Sequence, residues 1–402
     1  MSAARKMRMS ARQWAVGIAG YFAFINLYSP QAIMPLLAND FGTGAAGISM
    51  IMTASTLAVA FTAPLTGTAA DVLGRKRVIV TALFLLTIPT LMCALSTSLN
   101  ALVFWRFVQG LVLPPVFAVT IAYIGDEWEP HEVTAAAGIY MSGASLGGFS
   151  GRLLTGVLAD LFGWRIAMMC IAAMTLAGWL AVLALLPREK RFVRSEGLAA
   201  SGRQMLQHLR NDQLLATYAV GFGVLFCFIL TFTYVNFRLA APPFNLSPSW
   251  LGVIFIVYLA GSALVPLSGW AVNRFGRRRF MVPMIGVWVC GVLLTLASSL
   301  WIILIGLTIC ASCGMIAQAI STSYVSITAK AGRSSAVGLY VTSFYIGGAF
   351  GAALGGAAWT FGGWPACVGL LVAMQVIMAS LVFFLWSRRM PPAPPPATLE
   401  PA

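Results

Sequence analysis

The chain has 402 residues, of which 59% are hydrophobic and only 9% charged, and its net charge is +14. A soluble domain carries about 25% charged residues, and no soluble fold of this length can hide so much apolar surface. The basic residues are dispersed between apolar runs and form no single face, which excludes nucleic acid as the partner behind the net charge.

The chain opens with Arg5, Lys6, Arg8 and Arg12, followed by an apolar run from Gln13 to about Leu37. That run exceeds the roughly 7–15-residue core of a signal peptide, so it reads as a first spanning helix. Further apolar spans follow at 46–70, 78–97, 100–124, 134–158, 163–187, 214–238, 249–272, 280–299, 301–327, 335–358 and 364–387. Each is about 20 residues or longer, enough to cross ~30 Å of hydrocarbon as a helix. Each must be helical, because lipid offers no partner to a free backbone group. The expected fold is therefore all-α, with twelve transmembrane helices in two bundles, 13–187 and 214–387. An N-terminal segment 1–12, a charged linker 188–213 and a proline-rich, solvated tail 388–402 complete the organisation.

An even helix number puts both termini on one side. If that side is the cytoplasm, it holds all of the 25 Lys and Arg except Arg106, Arg152, Arg165 and Arg238. Such a bias is the positive-inside rule, and it predicts a bacterial inner-membrane protein with cytoplasmic termini. The seven cysteines lie inside apolar runs. Cys310 and Cys313 form a CxxC with no second pair or nearby His, so they read as core and no metal site is expected.

The halves repeat each other. Pro64-Leu-Thr-Gly67 recurs as Pro266-Leu-Ser-Gly269, and Asp71, Gly74, Arg75, Lys76 and Arg77 match Asn273, Gly276, Arg277, Arg278 and Arg279. Gly138, Tyr140, Gly147, Gly148, Gly151 and Gly156 match Gly338, Tyr340, Gly347, Gly348, Gly351 and Gly356, and Gly163-Trp164 matches Gly363-Trp364. Two parallel six-helix repeats point to a carrier that rocks around a midplane site.

The segment Gly67-Thr-Ala-Ala-Asp71-Val-Leu-Gly74-Arg75-Lys76-Arg77 resembles the loop 2–3 signature of the major facilitator superfamily, with Val72 where a basic residue is usual. Arg106-Phe-Val-Gln109-Gly110 is similar to the family's fourth-helix motif. Asn26-Leu-Tyr28-Ser-Pro30-Gln31 and Gly151-Arg152-Leu-Leu-Thr-Gly156 resemble the bacterial sugar-efflux and drug:proton antiporter branch. The resemblance implies a conformational latch of Gly67, Asp71, Gly74, Arg75 and Lys76, with Asp126 or Glu127 accepting Arg75 and with Gly269, Asn273 and Arg277 as its second-half counterparts. Plain positive-inside charge also explains Lys76 and Arg77. Gly143-Ala-Ser-Leu-Gly147-Gly148 resembles the helix-five antiporter motif, with Ala144 in place of its proline. The rows Gly143, Gly147, Gly151 and Gly347, Gly351, Gly355 also let helices approach closely, which alone would explain them.

Arg106 lies about 10 Å inside the outer end of its span, and a charge at that depth tends to mark a functional path. Gln109 shares its face. Arg106 is expected to be the main functional charge in the membrane, attracting an anionic or oxygen-rich solute together with Gln109 and tuning proton coupling through Asp40. Snorkelling or bracing a helix is the alternative, and for Arg152, nearer the surface, the stronger one. None of the eleven acids falls mid-membrane, and Asp40 is the nearest acid to Arg106. Arginine without a buried carboxylate tilts the substrate toward anionic or neutral polar solutes. Asn26, Tyr28, Gln31, Gln109, Tyr140, Tyr258, Gln318, Tyr324, Tyr340 and Tyr345 are candidates to line a cavity, ordinary interhelical hydrogen bonding being the alternative for each.

None of the four lysines follows a glycine, so the chain has no Walker A loop. No clustered nucleophile, metal site or acid–base pair marks an enzyme, and no cofactor is expected. The reading is a monomeric carrier in lipid, exporting a small polar or anionic solute in exchange for protons. Proton-coupled uptake of an anionic metabolite is the alternative; a channel or a non-transporting sensor is more remote.

Overall fold

A computed structural model describes residues 9–129, 131–189, 207–329 and 333–386, without the side chains of 67–69, 71, 72, 333 and 334. The tail 388–402, most of the linker 188–213 and residues 1–8 of the N-terminal segment lie outside the described residues. So do the side-chain surroundings of the latch residues Gly67 and Asp71.

Twelve long helices are present among the described residues, and none of those residues forms a strand. Helix α1 comes in three pieces: Ala11–Tyr28, the 3₁₀ turn Ser29–Ile33, and Met34–Asp40. Helices α2 (Ala45–Leu73), α3 (Arg75–Ala94), α4 (Leu99–Glu127), α5 (Val133–Phe162) and α6 (Trp164–Leu185) complete the first half. The second half holds α7 (Asp212–Ala240), α8 (Pro248–Phe275), α9 (Arg277–Leu294) and α10 (Leu300–Thr328). The helical run Arg333–Leu385 breaks at Gly362 and Gly363 and so supplies both α11 and α12. Eight helical runs are long and apolar enough to cross a membrane by composition, that double run among them. The broken α1, the glycine-rich α5 and α9, which opens on three arginines, make up the twelve.

The helix ends follow from local chemistry. Ser10 and Gln13 form a capping box at α1. Ser98 caps α4 through the Ala101 amide, and Asn211 caps α7. Gly74 (φ 88°), Gly163 (φ 86°), Gly276 (φ 81°) and Gly363 (φ 63°) adopt backbone angles that favour glycine and turn the chain between adjacent helices. These four positions are two repeat pairs, so the turns are duplicated along with the helices.

Packing is duplicated too. A Cβ on Gly20 or Gly221 would strike the Tyr140 or Tyr340 ring respectively. One on Gly151 would lie 2.8 Å from Ile25 Cγ1, and one on Gly351 2.8 Å from Phe226 Cα. Side chains such as Phe361 (91% exposed), Trp301 and Phe384 (both 76%) stand on the outer surface, as expected of a bundle solvated by lipid.

The turns at Gly74 and Gly276 lie on one face, the basic face, with Arg12, Arg75, Lys76, Arg77, Arg278 and Arg279. The halves meet along α2 with α11 and α5 with α8. The tightest crossings lie toward the opposite face. There a Cβ on Gly356 would lie 2.8 Å from Ala46 Cα, and one on Gly156 would strike the Pro248 carbonyl. Ser247 Oγ donates to Asp160 at 2.8 Å at the same end.

Candidate functional site

The break in α1 creates the first polar centre. Pro30 has no N–H, so the Asn26 carbonyl four residues earlier loses its helical donor. Arg106, fully buried on α4, supplies the replacement: Nη1 donates to the Asn26 carbonyl at 2.9 Å and Nη2 to the Leu27 carbonyl at 2.7 Å. Nη2 also donates to Ser55 Oγ at 3.1 Å, and Nη1 to Gln109 Oε1. Gln109 Nε2 donates to Thr90 Oγ1 at 2.7 Å, Thr90 donates to Asn26 Oδ1 at 2.7 Å, and Asn26 Nδ2 donates to Thr175 Oγ1 at 2.9 Å. The network thus joins α1, α2, α3, α4 and α6 within one half.

The second half shows what the network is for. Counted from the helix starts at Ser98 and Ser299, Leu307 and Cys310 stand where Arg106 and Gln109 do. Helix α7 is continuous from Asp212 to Ala240, has no freed carbonyls, and its partner needs no guanidinium. Arg106 here bonds groups of α1, α2 and α4, all in its own half. The acid expected beside it is elsewhere: Asp40 accepts from Arg165 at 3.2 Å and from Trp164 Nε1 at 2.9 Å, at the end of α1.

Arg152 is the second buried charge, 1% exposed. The sequence placed it near the surface, but α5 continues to Phe162, ten residues further on, which sets Arg152 about 15 Å from the helix end. Its Nε and Nη2 donate to Gln31 Oε1 at 2.8 and 2.7 Å, and Nη1 to the Gly148 carbonyl. The guanidinium carbon lies 4.3 Å from the Tyr28 ring centroid, 4.5 Å from Phe255 and 4.7 Å from Tyr258. Gln31 in turn donates to Thr233 Oγ1 at 2.9 Å, and Asn236 Nδ2 donates to the Gln31 carbonyl at 2.8 Å. Tyr28, Gln31 and Arg152 belong to the first half; Thr233, Asn236, Phe255 and Tyr258 belong to the second. The Ser29 and Thr231 hydroxyls and Asn236 Oδ1 are buried without a hydrogen-bond partner among the described residues. No salt bridge to Arg152 occurs among the described residues, and its charge is met by three aromatic faces and neutral oxygens.

The other candidates divide. Tyr345 stacks on Phe117 across the halves, with centroids 5.8 Å apart. Tyr140 and Tyr340 pack against Gly20 and Gly221, inside their own halves. Tyr324 stacks on Trp386 at 4.4 Å and donates to Gln213 at 3.2 Å, while Gln318 is exposed on α10. Gly143 and Gly147 abut the backbone of α1 at Gly17 and Tyr21, and Gly347 and Gly355 abut Phe222 and Tyr234 of α7, so these rows pack helices.

In the latch region, Arg75 Nη2 lies 2.6 Å from Asp126 Oδ2. The Glu127 carbonyl accepts from Arg12 instead. The Lys76 backbone N–H donates to Glu189, a partner the sequence did not single out, at 3.2 Å. Arg277 Nε is buried without a partner among the described residues, and nothing lies within 4 Å of a Cβ placed on Gly269. Asn273 is exposed. Ile327 occupies the position matching Asp126, so this ion pair is present in one half only. No group of three His, Cys, Asp or Glu able to hold a metal occurs among the described residues.

Thr233, Asn236 and Phe255, like Thr90, Thr175 and Ser55, were missed in the sequence because each is an unremarkable residue in an apolar helix. The one usable signal was Pro30, which predicts freed carbonyls that something must satisfy.

Two six-helix repeats packed face to face, with a buried charge held between them, define a polytopic membrane transporter. The Major Facilitator Superfamily family model matches residues 16–255 and 224–402. The chain is 34% identical over 388 residues to the inner membrane transport protein YnfM of Escherichia coli (strain K12), covering 96% of this chain and 91% of that one. It is 28% identical over 292 residues to a chloramphenicol efflux pump of Mycobacterium tuberculosis, covering 70% of each. Among solved structures, the nucleoside transporter NupG superposes with a TM-score of 0.73 at 15% identity, covering 93% of this chain and 99% of that one. An inward-facing, occupied bacterial homolog of the human lysosomal transporter Spinster gives 0.70 at 16% identity, covering 93% of each. At such identities the likeness shows the fold. The chain belongs to the major facilitator superfamily, and its activity is membrane transport, not catalysis.

Proposed function

We propose that this transporter exports a small polar or anionic solute by alternating access, with proton exchange driving the cycle and Arg152 as the solute-binding charge. The observation that carries the reading is the position of Arg152: buried, without a carboxylate partner among the described residues, and clasped by side chains from both halves. A buried guanidinium is costly unless something compensates it, and an anionic solute supplies a better partner than a glutamine oxygen. When the halves part, Phe255 and Tyr258 leave with the second half, Gln31 loses Thr233 and Asn236, and a face of Arg152 becomes available.

By the positive-inside rule the basic face is cytoplasmic. The state described then has its periplasmic end closed, at Gly156, Gly356 and Ser247–Asp160. Opening that end frees Asp160 from Ser247, a change of environment through which protons can be linked to the cycle. Export accords with the similarity to an efflux pump.

Reconstituted vesicles carrying an imposed pH gradient test the reading. Across a solute panel, anionic or neutral polar solutes should move against the gradient in wild type and not in Arg152→Gln. Preferential transport of lipophilic cations, undiminished in Arg152→Gln, would refute it.

A further inference from the structure

Loop 8–9 repeats the latch sequence but has lost its acids. Asn273 stands for Asp71, Arg274 for Val72, and Ile327 for Asp126. No Asp or Glu occurs anywhere between Asp212 and Glu400, so the second half has almost no carboxylate to neutralise Arg274, Arg277, Arg278 and Arg279. In the first half Arg75, the counterpart of Arg277, pairs with Asp126 and the Lys76 backbone N–H donates to Glu189, while Val72 stands in place of Arg274 and the exposed Arg77 in place of Arg279. In the second half Arg278 lies on the Phe383 ring at 4.6 Å, while Arg274 and Arg279 stand exposed.

These two arginines flank the mouth of a groove of about 490 Å³ whose walls are Phe275, Phe280, Pro283 and Val287. Phe275 and Val287 are half exposed. Two cations at a helix turn, with an apolar wall descending along α9, have the layout of a phospholipid: an anionic headgroup above and an acyl chain below. A basic cluster with no ion pair among the described residues, at the edge of the hydrocarbon, favours an anionic over a zwitterionic headgroup.

We propose that the groove between the ends of α8 and α9 is a binding site for an anionic phospholipid, with its phosphate between Arg274 and Arg279 and an acyl chain along Phe280, Pro283 and Val287. This site is separate from the Arg152 centre and does not rest on the reading of the transported solute. With the basic face cytoplasmic, the lipid comes from the inner leaflet.

The test is native mass spectrometry of the purified full chain with equimolar dioleoyl phosphatidylglycerol and dioleoyl phosphatidylcholine. Two basic residues at a membrane surface predict roughly a 30-fold preference for the anionic lipid. Arg274→Gln/Arg279→Gln should abolish that preference. Arg77→Gln/Arg188→Gln, which removes the same charge from the first half, should retain it. Dihexanoyl phosphatidylglycerol should bind far more weakly than the dioleoyl lipid, because the groove recognises the chain as well as the phosphate. The proposal fails if wild type shows no preference, if both double variants lose it equally, or if the short-chain lipid binds as well as the long. It fails also if the preference emerges only after residues 390–402 are deleted, since Glu400 of the tail is then the groove's occupant.

Discussion

Gln31 Oε1 accepts from Nε and Nη2 along one edge of the Arg152 guanidinium, at 2.8 and 2.7 Å, while its Nε2 donates to Thr233 of the other half. One amide thus orients the buried charge and ties the halves together. Arg152→Lys keeps the charge and loses the planar fork. Loss of a charge-assisted hydrogen bond of about 1.5–3 kcal/mol lowers solute affinity by roughly 10-fold or more. Solute binding measured by calorimetry should show that loss in Arg152→Lys and a smaller one in Gln31→Leu. Affinities equal to wild type in both would remove Arg152 from the site.

Arg106 is expected to behave as a brace. Arg106→Gln leaves the Asn26 and Leu27 carbonyls buried without donors, at about 1–3 kcal/mol each. The melting temperature in detergent should fall, while the folded fraction keeps near-normal solute affinity. Pro30→Ala restores a backbone N–H beneath the Asn26 carbonyl, and the double variant Pro30→Ala/Arg106→Gln should recover part of the loss. A stable Arg106→Gln protein that cannot bind solute would reverse the two arginines' roles.

Closure at the end opposite the basic face depends on glycine at two crossings. Gly156→Val and Gly356→Val put branched side chains where the Pro248 carbonyl and Ala46 backbone now lie. Neither glycine has a positive φ, so the helices themselves tolerate the change. Both variants should express near wild-type levels, fail to transport, and expose a cysteine placed at position 233 to a membrane-impermeant reagent from outside. Ordinary turnover in either variant would show that transport does not require tight closure at these crossings.

The Arg75–Asp126 pair is partly exposed, at 15% and 37%, so its loss should alter stability by less than about 1 kcal/mol. Turnover in vesicles should nevertheless drop several-fold in Arg75→Ala and Asp126→Asn, because the pair fixes the α2–α3 turn to the end of α4. An unchanged turnover number would reduce the pair to surface charge.

The topology prediction is checked by reporter tags. Fusions at residues 1 and 402 should both report from the cytoplasm and one at Asp160 from outside. A terminus accessible from outside intact cells would overturn the orientation.

The class of this protein was legible in one dimension. Twelve apolar spans, a duplicated Gly-Arg turn and a duplicated Gly-Trp turn depend on length, hydropathy and local backbone chemistry, all of which are written in consecutive residues. Helix packing through Gly143, Gly147 and Gly151 was equally readable, because helical spacing puts those residues on one face. The roles of the two buried arginines were not. Arg106 reads as a functional charge because it is deep, and only the folded chain brings its Nη atoms to the Asn26 and Leu27 carbonyls at the break in α1 beside Pro30, 76 residues earlier. Arg152 looked peripheral because its apolar span ended early, yet α5 runs on to Phe162 and carries it to the seam between the halves. Hydropathy fixes which segments enter the bilayer. Which polar atoms meet there is decided by contacts between helices far apart in sequence, and those exist only once the bundle is assembled.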